Sequence, residues 1–453
     1  MKRSAKISSV MGMTLVVILA FAACAPGSGT SASVASQSQT SISKDLGSEP
    51  TTLTVWDQNI DGGIAIAQQQ LNTAFMEKYP NVTINRVSRS FSDLKTTLKL
   101  ALSGDNPPDV VQANQGYPDM GAFVSAGFLR PLNDYANLYG WNSAFPSAFL
   151  KLNSFSGDGK QWQGDNLYGI SQTGELVGLY YNKAVLAEAG ISAPPTTLDE
   201  FNSDLTKVKA VGILPISYGD VEKSPGIHLY GFVLSALAGQ QKVTNLVTGN
   251  GGTWTDPKAV EAAQIVQDWA KNGYLTEGGN GISRDDAVNA FGKGQAAFLI
   301  TGTWYQAKLE ASPENQDIGF TVLKANGSDS PATMGGIGLA WAMTSKSKHP
   351  DVAAAYIDFV TNNSASGVLV KTQNLPAVLP AGARSTSSLG DAIFSSFQTV
   401  SQSNGLTPYL DYATPTFYDT LSAAAQDLVA GKQTPEQFTK TLQDDYSAFL
   451  GSR

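Results

Sequence analysis

The sequence predicts an α/β fold on a parallel, doubly wound sheet, and three features carry that prediction. Between Leu53 and Gln112, short β-type runs alternate with helical ones, which is the order that parallel crossover units require. The apolar run Ala296-Ala297-Phe298-Leu299-Ile300, bounded by Gly294 and Gly302, reads as a fully buried strand. From Asp351 onward the pattern is mainly helical.

Each element has a local cause. Leu53-Thr54-Val55-Trp56 is a short strand, followed by Ile64, Ala67, Leu71, Ala74 and Phe75 at helical spacing, with Pro80 as the stop. Val82 to Val87 alternates as a second strand. Leu94, Leu98, Ala101 and Leu102 then share a helix face that ends at Ser103-Gly104, and Asp109 to Gln112 gives a third strand. Asn182 to Gly190 is helical with a glycine stop, and Thr197 caps the next helix ahead of the acidic pair Asp199-Glu200. Leu214 to Tyr218 is a strand, Asp256-Pro257 opens a helix that runs through Trp269, and Arg284 to Phe291 is a short helix. Ala353 to Val360, Thr420 to Val429 and Pro435 to Phe449 complete the helical tail; no tandem repeat of fixed period is present.

Size and charge narrow the function. The 453 residues suffice for two or three domains' worth of core, with 42% apolar and only 15% charged residues, and Gly 44 and Pro 21 imply many tight turns. A net charge of −8 argues against nucleic acid or anionic lipid as ligand. Two histidines, His228 and His349, lie far apart in sequence and give no basis for a zinc site; no metal or cofactor is expected.

The N-terminus is an export signal. Lys2, Arg3 and Lys6 precede an apolar run from Val10 to Phe21, then Ala22-Ala23 and the chain's single cysteine, Cys24. The run is too short to span a bilayer, so residues 1–23 are expected to be cleaved, leaving Cys24 as a lipid-bearing N-terminus. Residues 24–50, rich in Ser, Thr, Gly, Ala and Gln, then form a flexible tether.

In open α/β sheets, ligands bind at the carboxyl ends of strands. Trp56-Asp57-Gln58-Asn59-Ile60-Asp61 follows the first strand, Gln112-Ala113-Asn114-Gln115-Gly116-Tyr117 the third, and Thr301-Gly302-Thr303-Trp304-Tyr305 the buried one. The first two set amide or carboxylate groups beside an aromatic ring, and the third sets threonine hydroxyls beside Trp304 and Tyr305. Sugars need that mixture, since their hydroxyl edges take paired hydrogen bonds and their apolar faces lie on indole or phenol rings. Asn59, Gln112 and Asn114 are therefore ligand candidates, although strand-end residues of this type also serve as turn formers and caps.

Together these segments resemble the extracellular solute-binding protein family 1, the carbohydrate receptors of bacterial ABC importers similar to maltose-binding protein. The markers are FMEKYPNVTI (75–84), LALSGDNPPDVVQAN (100–114), AGFLRPLNDY (126–135), NLYGISQTGELVGLYYNKAVLAEAGI (166–191), AFGKGQAAFLITGTW (290–304) and MGGIGLAWAM (334–343). Their order and spacing carry the resemblance, and a lipid-attachment site before a Ser-rich tether fits the family in Gram-positive bacteria.

The resemblance implies a two-lobed periplasmic-binding-protein-like fold of type II, each lobe a sheet flanked by helices, with the ligand in the cleft between them. The lobes would comprise residues 51–168 plus 336–376 and residues 169–335 plus 377–453. The chain would cross near Tyr168–Ser171, near Gly335–Ile337 and near Leu375-Pro376. Trp304 matches the family's stacking aromatic, whereas Tyr305 is assigned to packing. Glu175 would face the cleft after the first crossing, and Gly335 and Gly336 would allow close backbone approach. Asp411, between Tyr409 and Tyr412, has the acceptor-plus-aromatic chemistry of sugar recognition, and Tyr218 and Asp220 end a second-lobe strand. Trp254, beside a helix-start signal, is assigned to the surface or to packing, and Trp341, within an apolar strand, to the core. The implied partners are a carbohydrate, an oligosaccharide rather than a monosaccharide, the permease subunits, and the membrane through the lipid on Cys24. The implied protein is a monomer, without nucleic acid, on the extracellular face.

Three other functions place different demands on the sequence. A glycoside hydrolase needs two carboxyls at a fixed separation, and Asp57, Glu175, Asp220 and Asp411 lie in scattered loops without a catalytic motif. A receptor for another solute, such as an anion, would favour Arg at helix N-termini. A lectin-like adhesin would work without a transporter.

Overall fold

The computed structural model describes residues 41–452. In chain order its strands are β1 (Thr51–Asp57), β2 (Val82–Ser88), β3 (Val110–Ala113), β4 (Ser154–Phe155), β5 (Asn166–Leu167), β6 (Gly169–Ser171), β7 (Gly174–Asn182), β8 (Leu214–Ile216), β9 (Ala296–Gly302), β10 (Ile318–Thr321), β11 (Thr333–Ile337), β12 (Ala340–Met343) and β13 (Leu406–Thr407). Cys24 and the signal lie outside the described residues, as does most of the tether. Among the described residues, no helix is long and apolar enough to cross a membrane.

Two sheets organise the chain, with helices packed against them. The first has the order β2-β1-β3-β12-β6, and the second β13-β11-β7-β9-β8 with β10 also paired to β7. β1 runs parallel to both β2 and β3, as the alternation in sequence requires, and β12 is antiparallel to its neighbours β3 and β6. In the second sheet β8 and β9 are parallel, while β7 is antiparallel to β9, β10 and β11. β4 and β5 form a separate pair.

The local signals explain most elements. Leu53, Val55 and Asp57 of β1 alternate into the interior, and Ala67, Leu71 and Phe75 are buried along the helix Gly62–Lys78, which ends just before Pro80. Ser90 caps the helix Phe91–Ser103 by accepting from Asp93 N at 3.1 Å, and Leu94, Leu98 and Leu102 form its buried stripe. Thr197 does the same for Leu198–Ala210, accepting from Glu200 N at 3.2 Å. All seven residues of β9 are buried. Trp341 is fully buried, in keeping with its assignment to the core, and Trp254 is fully buried as well, a packing residue and not a surface one.

The chain leaves the first sheet after β6 and enters the second at β7, then returns between β11 and β12. Tyr168 to Ser171 thus precedes the first passage, and Gly335 to Ile337 lies within the second sheet rather than at the crossing itself. A third passage follows the helices Pro350–Thr361 and Asn363–Lys371, which pack on Gly62–Lys78. There Gly174 N donates to Leu375 O at 2.9 Å and Thr173 bridges Pro376, so two of the passages run side by side.

Candidate functional site

Loops at the carboxyl ends of β1, β2, β3 and β9 converge on a cleft of about 680 Å³. The first sheet contributes the segments at Gln58–Ile64, Ser90–Ser92 and Gln112–Gln115. Most of the remaining wall comes from Thr303–Tyr305, the start of β7, the region around His228 and Arg284, and the aromatic segment from Tyr409 to Tyr418, with Leu339, Asn374 and Leu375 at the inter-sheet passages.

Trp304 lines this cleft immediately after β9. Its ring folds back over Gly302, where an added Cβ would lie 1.9 Å from Cζ3, so the missing side chain makes room for the indole. The ring centroid is 5.3 Å from that of His228, and His228 is 6.1 Å from Tyr409, which is in turn 5.6 Å from Tyr412. The wall is therefore a continuous run of rings. Tyr305 also lines the cleft although its side chain is buried, and its hydroxyl donates to Asp285 Oδ1 at 2.9 Å.

Two carboxyls are set into this aromatic wall. Glu175 is the second residue of β7 and accepts from the Tyr409 hydroxyl at 3.4 Å. Burial pushes its carboxyl up to about 7, and the Tyr409 bond offsets only part of that. Burial likewise raises Asp411 to about 6, with the charge of Lys95 acting against it. Near neutral pH Glu175 is divided between donor and acceptor forms, whereas Asp411 is mainly an acceptor.

Asn59, Gln112 and Asn114 line the cleft too, but each is already engaged. Asn59 is buried; its backbone N donates to Asp57 Oδ1 (2.9 Å), its Nδ2 to Gln68 Oε1 (3.5 Å), and its carbonyl accepts from Arg86 Nη2 (2.6 Å). Gln112 Oε1 accepts from Gln58 N at 2.9 Å, which leaves its amide nitrogen for a ligand. Asn114 accepts from Tyr412 at 3.1 Å and donates to Asp119 at 3.3 Å. The turn-forming role and the cleft-lining role therefore coexist in the same side chains.

Four sequence candidates lie off the cleft wall. Gly335 and Gly336 sit in β11 at φ +155° and +134°, and a Cβ on Gly335 would fall 2.4 Å from Glu175 O. The close approach expected of Gly335 is thus made to the neighbouring strand; a Cβ on Gly336 would meet Leu152 Cδ1 at 3.3 Å. Tyr218 and Asp220 are buried behind the wall: the Tyr218 hydroxyl donates to Asp220 Oδ2 (3.0 Å), and Asp220 Oδ1 accepts from Gly226 N (3.0 Å) in the first turn of the helix Pro225–Ala238. They anchor the helix instead of facing solvent.

Sequence reasoning gave His228 and Arg284 no place in the site. His228 lies in a helix that is apolar around its whole circumference, so no periodic signal separated it from core. Arg284 begins the helix Arg284–Gly292, and its Nη1 donates to Ser224 Oγ at 3.2 Å. The one signal in the sequence for Arg284 is its place at a helix start.

Stacking faces, acceptor carboxyls and partly engaged amides in one cleft can hold a polyhydroxylated molecule. Over residues 60–366 the chain matches the profile of the bacterial extracellular solute-binding proteins, and it belongs to that family. It is 25% identical over 345 residues to the diacetylchitobiose binding protein DasA of Streptomyces coelicolor, covering 72% of each chain. It is 23% identical over 292 residues to the multiple sugar-binding protein of Streptococcus mutans, covering 62% of this chain and 65% of that one. The fold superimposes on a chitin oligosaccharide binding protein with a TM-score of 0.77 at 23% identity, over 88% of this chain and 99% of the other. The two-sheet α/β architecture is that of the two-lobed solute-binding proteins.

Proposed function

We propose that this chain captures an oligosaccharide in the cleft described above and delivers it to the permease of an ABC importer. In this reading the lobes are those expected, 51–168 plus 336–376 and 169–335 plus 377–453, except that we shift the first two boundaries to the passages after β6 and between β11 and β12. Ligand contacts made only when the lobes approach each other drive a hinge closure that the permease recognises. A lipid on Cys24 holds the monomer at the extracellular face, with a tether shorter than the expected 24–50, because Ile42 and Leu46 already pack on the folded body and Asn81 Nδ2 donates to Gly47 O and Glu49 O.

The observation that carries the reading is the aromatic wall of Trp304, His228, Tyr409 and Tyr412 with Glu175 and Asp411 set into it. The sugar-binding names of the relatives support the same class of ligand. Binding without hydrolysis is part of the proposal, so a labelled oligosaccharide should be recovered uncut.

Calorimetry across a panel of oligosaccharides, amino acids and anions tests it. At least one oligosaccharide should bind, and Trp304→Ala should lose about 2–4 kcal/mol of that binding, as for a buried aromatic anchor. Heat with anions alone, or an unchanged affinity in the variant, would overturn the ligand class or the site respectively.

A further inference from the structure

Buried polar groups in folded proteins are almost always hydrogen-bonded, so one left without a partner calls for an explanation. Among the described buried side-chain atoms with no partner are His228 Nδ1 and Arg284 Nε, and both residues line the cleft. His228 is only 9% exposed, and its buried Nδ1 makes no hydrogen bond. Its position is fixed by the helix Pro225–Ala238, in which every residue from Pro225 to Leu237 is buried. The unpartnered indole nitrogens of Trp254 and Trp341, by contrast, belong to core residues away from the cleft.

We infer that His228 is a specificity-determining residue of the sugar site, supplying one hydrogen bond to a hydroxyl of the pyranose that rests on Trp304. The inference rests on the proposed carbohydrate function. Its geometry is that of a polar edge held between two stacking rings, Trp304 at 5.3 Å and Tyr409 at 6.1 Å. Burial, aided by the charge of Arg284, lowers the imidazole to about 3, so the ring is neutral across the physiological range. A neutral imidazole offers one donor and one acceptor, which suits a hydroxyl rather than a carboxylate. A site that pairs its buried polar group with a ligand hydroxyl rejects the analogue lacking it, because the protein group is then left unsatisfied.

The test uses the intact chain and, as probe, the tightest binder among chitotriose, maltotriose, xylotriose and cellotriose, with its monodeoxy analogues. His228→Phe keeps an aromatic ring and removes the hydrogen bond; His228→Gln keeps a hydrogen-bonding group. The expected result is a loss of about 5–30-fold in affinity for His228→Phe, with His228→Gln recovering much of it. One monodeoxy analogue should show the same loss against the parent protein and bind His228→Phe and the parent equally well. An undiminished affinity in His228→Phe would overturn the assignment, as would a loss of equal size for every analogue, which is the mark of packing. If His228→Phe does not fold, the analogue series on the parent protein decides alone: uniform binding of all the deoxy sugars refutes the role. Failure of every trisaccharide to bind the parent protein would instead sink the carbohydrate reading, and this one with it.

Discussion

Glu175 illustrates how much of this site is set by desolvation acting on single side chains. With its carboxyl raised from 4.5 to about 7, the folded protein keeps a proton that the unfolded chain releases. The folded state therefore binds more protons between those values, and stability falls as pH rises from about 4.5 to about 7, levelling off above. Asp411, raised from 3.8 to about 6, adds to the same slope at lower pH. Glu175→Gln should remove its share: the variant's melting temperature relative to the parent should rise between pH 5 and pH 8. A difference that does not change with pH would show that Glu175 titrates normally. At this scale the sequence was only partly legible. Asn59, Gln112, Asn114 and Trp304 reach the cleft because strand ends deliver them there, a rule that needs no coordinates. The same rule misplaced Tyr218 and Asp220, because the carboxyl-end position says nothing about whether a side chain turns back to anchor the following helix.

The strand-to-helix joint at Gly302 is the element on which the site turns. β9 is buried throughout, its last residue is a glycine, and the indole of Trp304 occupies the space where a Cβ would be. Gly302→Ala keeps an ordinary backbone conformation, since φ at this position is −86°, yet it must push the ring aside. Sugar affinity should drop about tenfold, as expected when overpacking moves a contact residue, with a change in Trp304 fluorescence and the fold retained. An unchanged affinity would mean that the ring position is not set by this contact. Elements with a clear stripe or a cap were readable in advance, as Leu94, Leu98 and Leu102 show. The helix Pro225–Ala238 was not, because burial on every side erases the 3.6-residue stripe, and with it went the one polar residue that faces the cleft, His228. β7 was hidden in the same way, since seven of its nine residues are buried and the period of two is lost.

At the scale of the whole molecule, the α/β class followed from the alternation of strand and helix, but the second sheet did not. Its central strand β7 is antiparallel to both β9 and β11, which lie far from it in sequence, so only long-range pairing assembles them. The family resemblance supplied what local patterns lacked. Gly174 and Leu375 then tie two of the inter-sheet passages together by a backbone bond, which places them as neighbouring parts of one joint. The claim that most depends on this arrangement is capture of a sugar between the two sheets. It is tested most directly by a crystal structure of the chain with its tightest-binding oligosaccharide. The expected result is a pyranose face on Trp304, a hydroxyl at His228, and loops of both sheets closed on the ligand. A sugar bound elsewhere, or in this cleft with no contact to the first-sheet loops, would contradict the account.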